Sequence, residues 1–367
     1  MYKAKLVRRV MFVPVLLLFA GFSQAETRTD VLDTPALRSS LAVNSGIFDI
    51  TQAGKRAIAV GVHGHILHSD DQGQSWQQGE VPVSTDLTAV QFVDDNFGWA
   101  VGHDSVILAS QDGGKHWTKQ FDGRQLSALL KQYYSQLLQQ DPNNADYQQL
   151  LDDAERNAQN GTLGPLLDLH FFNRQLGYVV GAFNLILMTQ DGGATWMPLM
   201  DKMANPSNYH LNAIAAVGEE LYIVGEQGLL RKLHSHTNQV ESLTPPYSSS
   251  FFGITAQGAQ ICLYGLRGHL FCRRDDNAQW QSLDTGSNAS ITSVALNGSL
   301  ILVGNQTGKI FIREQGQPEA AQTEIAIQAP ITALQLTGSQ LIVAGLKGLQ
   351  TLPLPAAVSP SEKSSMQ

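Results

Sequence analysis

The sequence predicts an all-β fold, a seven-bladed β-propeller with four-stranded blades, and three observations carry that reading. A short glycine step ends one strand of every repeat: Val60-Gly61, Val101-Gly102, Val180-Gly181, Val224-Gly225, Tyr264-Gly265, Val303-Gly304 and Ala344-Gly345. Successive glycines lie 41, 79, 44, 40, 39 and 41 residues apart, and a period near 40 with several short strands per unit is the signature of a propeller blade. An eight-residue phrase recurs in phase with that ruler, as SDDQGQSW from Ser69 to Trp76, SQDGGKHW from Ser110 to Trp117 and TQDGGATW from Thr189 to Trp196. A degenerate copy, RRDDNAQW, runs from Arg273 to Trp280.

Each residue of the phrase suits a tight turn between two strands. Ser69, Ser110 and Thr189 open it. Asp70, Asp112 and Asp191, with Asp71 beside the first, are expected to accept hydrogen bonds from turn N–H groups, and Gly73, Gly114 and Gly193 to take a positive φ. Trp76, Trp117, Trp196 and Trp280 then start the next strand with a large apolar face. Four of the five tryptophans of the chain occupy this slot.

The chain has 367 residues, 43% hydrophobic and 15% charged, with 33 glycines. That mixture fits many short strands joined by tight turns. Residues 1–25 read as a cleavable export signal: Lys3, Lys5, Arg8 and Arg9 precede an apolar run from Val10 to Phe22 and a Ser23-Gln24-Ala25 cleavage site. The expected location is therefore periplasmic, or else extracellular or lumenal, with no membrane span after cleavage. The whole chain carries a formal charge of −8, and loss of the four basic leader residues leaves 20 basic against 32 acidic side chains. Nucleic acid is a poor partner for such a surface.

The propeller is expected over residues 26–354. The 79-residue glycine gap contains one blade and an insertion over residues 122–164. There Leu126, Leu129, Leu130, Tyr133, Tyr134, Leu137 and Leu138 recur at helical spacing, Asp141-Pro142-Asn143-Asn144 breaks the run, and Tyr147, Leu150, Leu151 and Ala154 continue a second helix. This reads as a helical hairpin packed on the rim. The last repeat, Ile331 to Leu354, has three strands, and the N-terminal Val31-Leu32-Asp33-Thr34-Pro35 segment is expected to supply its fourth, closing the ring. Residues 355–367 read as a polar tail. Cys262 and Cys272 flank a turn at Arg267 almost symmetrically, which permits a cross-strand disulfide and equally permits two small core residues.

The Asp-containing phrase resembles the BNR or Asp-box repeat, which occurs in sialidases and other glycoside hydrolases, in sortilin-type receptors and in the photosystem II stability/assembly factor family. LTAVQFVDDNFGWAVGHDSVILASQDGGKHW and LLDLHFFNRQLGYVVGAFNLILMTQDGGATW are similar to blades of the last family. The likeness is strongest from Phe48 to Pro198 and fades where the turn at His234 to Asn238 has lost the motif. The resemblance implies a propeller that binds protein and assists assembly without catalysis or cofactor, for an envelope or membrane complex. The helical insertion lies outside the basic blade pattern, and no arginine-rich docking patch is evident in the sequence.

Catalytic constellations are missing. A glycosidase, or a glycan-binding propeller, is the alternative, yet the Asp-box carboxylates are committed to turn geometry, and the acidic pairs Asp94-Asp95, Asp152-Asp153, Glu219-Glu220 and Asp275-Asp276 fall in turns or on a helix. His63, His65 and His68 do not share a strand face, so no metal site is expected. Topology assigns the Asp boxes to one face of the ring. The turns between second and third strands lie on the other, together with the insertion. These turns carry the candidate partner-binding residues His63, Asp104, Asn184, Glu226, Arg267, Asn305 and Lys347, joined by Tyr133 and Tyr134 of the insertion.

Overall fold

Glycine stands at or next to the end of the second strand of each repeat, in six of the seven because the backbone of the neighbouring strand passes too close for a side chain. A Cβ on Gly61 would lie 2.0 Å from the Gly46 carbonyl oxygen, and one on Gly102 would lie 2.1 Å from that of Asp86. The same squeeze recurs at Gly181, Gly225, Gly265 and Gly345, while Gly304 is hemmed in by the Ile331 side chain. The sequence ruler is thus a steric requirement of the blade.

The computed structural model describes residues 30–160, 164–275, 278–314, 323–327 and 329–354. Among them the strands form seven antiparallel sheets, six of four strands and one of three, each sheet in sequence order. The inner strands are Ile47–Ala53, Leu87–Phe92, Leu166–Phe171, Leu211–Val217, Phe251–Gln257, Ile291–Asn297 and Ile331–Thr337. They surround a central channel, and apolar side chains between neighbouring sheets, such as the stacked Trp99 and Phe171 rings 3.7 Å apart, form the core. The export signal at 1–25 and the tail at 355–367 lie outside the described residues.

Ring closure differs from the expectation. The last sheet keeps three strands, and Val31–Pro35 is a turn at the seam of blades 1 and 2. Leu32 is 2% exposed and packs with Val81, Val83, Leu108 and Trp117. Ser84 donates its N–H to the Val31 carbonyl, Lys119 Nζ reaches the Leu32 carbonyl at 2.6 Å, and Arg124 forks onto Asp33 at 2.7 and 3.0 Å. Leu32 finds an apolar cluster there, and Asp33 finds two cations, Lys119 and Arg124. The first and last blades meet instead through Thr332 Oγ1 donating to the Ile47 carbonyl, Gln52 Nε2 to Leu336 and Thr351 Oγ1 to Gly73, over a cluster containing Ala42, Ile47, Ala333 and Ile342.

The insertion forms two helices, α1 (Gly123–Gln140) and α2 (Ala145–Asn160). Asp122 caps α1 by accepting the Arg124 N–H, and Gln125 returns the bond to the Asp122 N–H, a capping box. Leu126, Leu130, Tyr134 and Ala154 are buried in one cluster with Leu199, Met200 and Met203 of blade 3, so the hairpin shares the propeller's core. Cys262 and Cys272 are directly opposed across the ladder and joined in a disulfide.

Because Leu32 plugs a hole between two blades, Leu32→Ala should lower unfolding free energy by about 2–4 kcal/mol. Urea unfolding checks this, and a change smaller than experimental error would refute the seam role.

Candidate functional site

On the Asp-box face three turns close on their own polar groups. Ser69 Oγ accepts the Gly73 N–H at 2.8 Å and donates to Asp71 Oδ1 at 2.8 Å, which also accepts the Ser75 N–H at 2.9 Å. Ser110 with Asp112 and Thr189 with Asp191 repeat the pattern, and Trp76 and Trp117 donate their indole N–H to the carbonyls of Gly73 and Gly114. The expectation for Asp70 needs correction: Asp71 is the turn acceptor, held down to about pKa 2 by the Ser75 hydroxyl, the Ser75 N–H and the Ser69 hydroxyl. Asp70 points away and pairs with both Nε and Nη2 of Arg56 at 2.6 and 2.8 Å. In the degenerate copy, Trp280 lies under the Arg273 guanidinium at 4.6 Å.

The opposite face carries the turns between second and third strands, and α1 packs beside one of them, His103–Ser105. His63, Asp104, Phe183, Gln227 and Arg267 stand at the turn tips with φ between 52° and 58°. Each sits two residues after the ruler glycine, an offset that also gives Gln306 and Lys347. His63, Arg267 and Lys347 are therefore exposed tips, and Asp104 is a half-buried one that accepts the Thr85 hydroxyl at 2.6 Å. Three other candidates are displaced. Asn184 is buried and bonds Met200 and Asn205, leaving Phe183, 56% exposed, as the tip. Asn305 is buried and accepts from Thr307 and Lys309, so Gln306 faces out, while Glu226 accepts the His210 N–H beside the exposed Gln227. Counting a constant offset from the glycine would have found Phe183, Gln227 and Gln306 in the sequence.

Tyr134 is also corrected as a partner-binding candidate: it is fully buried, with its hydroxyl 3.6 Å from Met200 Sδ, and Tyr133 is half-buried against the same core. Phe183, Leu346 at 54% exposure and Phe252 at 41% bring apolar surface to this face and the channel mouth. The structure also assembles a cationic patch that the sequence did not reveal, with Arg273, Arg274 and Arg313 lining a cavity of about 450 Å³.

The channel, about 590 Å³, holds the other unforeseen group. At the third position of the inner strands five blades carry small residues, Ala89, Ala213, Gly253, Ser293 and Ala333, whereas blades 1 and 3 carry Asp49 and Asp168. Asp49 accepts the N–H groups of Ile50 and Val90, and Asp168 those of Leu169 and Ile214, so each carboxylate spans to the next blade at 2.8–2.9 Å. Tyr264 fills the space above Gly253, where a Cβ would meet its ring at 2.1 Å. Burial pushes Asp49 up to about pKa 6, against the lowering effect of the Val90 and Ile50 N–H groups. Asp168 is pushed up to about 7 by burial, against the Ile214 N–H and with the charge of Asp49 adding to the rise. Tyr264 is raised by burial and by the same two carboxylates. Among the described residues no cluster of three or more His, Cys, Asp or Glu side chains is arranged to hold a metal. His65 instead contacts Ser45 Oγ at 3.0 Å, and His68 is buried.

A ring of seven antiparallel blades, with three hydrogen-bonded turns on one face and chemically varied tips with apolar surface on the other, defines a seven-bladed β-propeller. The family model described as "Photosynthesis system II assembly factor YCF48" matches residues 72–135 and 158–282, more than half of the sequence, and the chain belongs to that family. A curated relative, "Photosystem II assembly protein Ycf48" of Synechococcus sp. (strain JA-3-3Ab), is 43% identical over 61 residues, 16% of this chain. That match spans 17% of the relative's length. Among solved structures, one described as "YCF48 bound to D1 peptide" aligns with a TM-score of 0.60 and 15% identity over 88% of this chain and 99% of its own. YCF48 from Cyanidioschyzon merolae gives 0.60 and 15% over 88% and 98%. The WD40 propeller domain of Doa1 gives 0.62 and 9% over 90% and 98%, a likeness of fold alone.

The raised carboxyls fix a pH dependence. Their folded pKa values exceed the ordinary 3.8, so their contribution to stability is complete below about pH 4 and is lost as pH rises through 6 to 7. Asp168→Asn should flatten this fall, and urea midpoints of both proteins at pH 5 and pH 8 test it. An unchanged difference between the two pH values would show that Asp168 does not titrate in this way.

Proposed function

We propose that this chain is an exported, non-catalytic propeller that binds another protein and assists the assembly or stability of an envelope or membrane complex. The partner would sit on the face bearing the insertion. The observation that carries this reading is the asymmetry of the ring: one face holds three Asp-box turns closed on their own polar groups, while the other varies at a fixed offset through His63, Asp104, Phe183, Gln227, Arg267, Gln306 and Lys347 beside exposed Phe252 and Leu346. Exposed aromatics among polar groups are the usual anchors of protein recognition. The family's assembly factors, and a solved relative described with a bound peptide, support a protein as the ligand. Export rests on the basic and apolar leader at residues 1–25.

Glycoside hydrolysis has one observation in its favour, the two carboxyls in the channel. Both oxygens of each already accept backbone N–H bonds, which leaves neither placed as a free acid or nucleophile. Turnover of a fluorogenic glycoside, abolished by Asp168→Asn, would establish that alternative.

Since the insertion shares buried residues with blade 3, deleting it would expose core, and surface substitutions make the cleaner test. The combined Phe183→Ser, Phe252→Ser and Leu346→Ser variant should keep the wild-type melting midpoint. Its recovery of the proteins that co-purify from the native envelope should fall by about tenfold or more, whereas Asp70→Ala on the opposite face should leave recovery intact. Equal recovery by the triple variant would reject this face.

A further inference from the structure

Cys262 and Cys272 face each other on Gln260–Gly265 and Leu270–Arg273, the second and third strands of blade 5. Side chains fill the same rung in the other six blades without a covalent link, as Trp99 and Ala109 do in blade 2 and Ile301 and Arg313 in blade 6. The blade architecture therefore does not call for a disulfide here. The two cysteines also differ in access. Cys262 is fully buried, whereas Cys272 is 7% exposed and lines the cavity of about 450 Å³ that holds Arg273, Arg274 and Arg313.

Thiol–disulfide exchange needs a path to one sulfur for the incoming thiolate and a donor for the leaving one, and nearby cations favour both thiolates. Cys272 lies on the path. Gln260, from the same wall, brings its Nε2 to 3.9 Å from Cys262 Sγ. Arg313 stands on the side of blade 6 that faces the bond, because its rung partner Ile301 packs in one cluster with the two cysteines. Its Nη1 is a buried donor without a hydrogen-bond partner among the described residues. Arg274 is exposed at the rim of the cavity.

We propose that Cys262–Cys272 is a reversible thiol–disulfide exchange site that admits a dithiol reductant through the arginine-lined cavity. A thiolate of the reductant attacks Cys272 Sγ, the bond to Cys262 breaks, and Cys262 leaves with the electron pair as a thiolate beside Gln260 Nε2. The second thiol of the reductant then attacks the reductant's own sulfur in the mixed disulfide and releases Cys272 as a thiolate. The reductant gives up two electrons and two protons and becomes a disulfide, and the two cysteines take them up as thiols. In the reduced state blade 5 holds this rung by packing alone, as the other six blades do. The cavity lies beside the degenerate Asp-box turn that ends at Trp280, so the site is separate from the protein-binding face proposed above.

Treatment of the folded, oxidised chain with increasing dithiothreitol, quenched with iodoacetamide and read by mass, tests the proposal. Both cysteines should become alkylated at a rate proportional to dithiothreitol concentration, while circular dichroism stays that of the folded chain. Arg274→Gln, at an exposed position that does not threaten folding, should slow the reaction by about threefold or more, as should Arg313→Gln. Single-cysteine variants report the direction of attack: the Cys272 thiol of Cys262→Ser should react with Ellman's reagent about tenfold or more faster than the Cys262 thiol of Cys272→Ser. Reduced thioredoxin at the same thiol concentration distinguishes the source, a faster reaction marking a protein dithiol as the reductant and a slower one a small dithiol. Reduction at a rate independent of dithiothreitol and equal to that of global unfolding would overturn the assignment. Equal reactivity of the two single-cysteine variants, or unchanged rates in both arginine variants, would do the same.

Discussion

The constraint on which the molecule depends is the tie between the inner strand of each blade and that of the next. Blades 2, 4, 6 and 7 donate, through Thr88, Asn212, Thr292 and Thr332, to the carbonyls of Leu166, Phe251, Ile331 and Ile47. Blades 1 and 3 accept, through Asp49 and Asp168, from the N–H groups of Val90 and Ile214. At the junction of blades 5 and 6, Tyr264 from the second strand fills the space over Gly253 instead. Six of the seven junctions therefore have a hydrogen bond at the channel, including the one between the ends of the ring. A single such bond contributes only about 1 kcal/mol. Six of them add a directional constraint on blade register to that of apolar packing.

That ring of ties explains why the last blade can remain three-stranded. Thr332 and Gln52 hold it to blade 1 from the inside, and Thr351 holds its third strand to the Gly73 turn. The exposed edge, Gly348–Pro353, is short and contains a proline, and at its start the chain around Val43 approaches so closely that a Cβ on Gly348 would lie 2.1 Å from the Val43 carbonyl oxygen. Shortness, proline and a covering turn are standard protections for an unpaired strand. The N-terminal segment is thereby released to fill the seam between blades 1 and 2, where Leu32 and Asp33 find complementary partners.

What could be read from the sequence follows whether a residue's role is local. The blade count was legible because a missing Cβ at Gly61, Gly102 and their repeats is a per-blade steric demand. The Asp-box turn was legible because its bonds close within four residues, although Asp70 and Asp71 were exchangeable until Arg56 supplied a partner for one of them. The helices were legible from periodicity. Asp49, Asp168 and Tyr264 were not, since their meaning arises only where inner strands from distant parts of the chain converge on one channel. The seam position of Leu32, the burial of Asn184 and Asn305, and the gathering of Arg273, Arg274 and Arg313 are likewise tertiary facts.

The difference in structure between the two faces follows from chain direction. In a blade of four antiparallel strands, the Asp-box turn must fall at one end and the connection to the next blade at the other, so a segment inserted between blades necessarily emerges on the face opposite the Asp boxes. Here the insertion does not hang free: Leu126, Leu130, Tyr134 and Ala154 continue the core of blade 3. The insertion-bearing face is accordingly a preformed relief, with the helical hairpin as one wall and the turn tips as its floor. A partner that binds a preformed surface avoids the ordering entropy that a flexible arm would impose. Recognition would then be tuned by changing the tip residues, which the ruler glycines hold at fixed positions, without altering the ring that carries them.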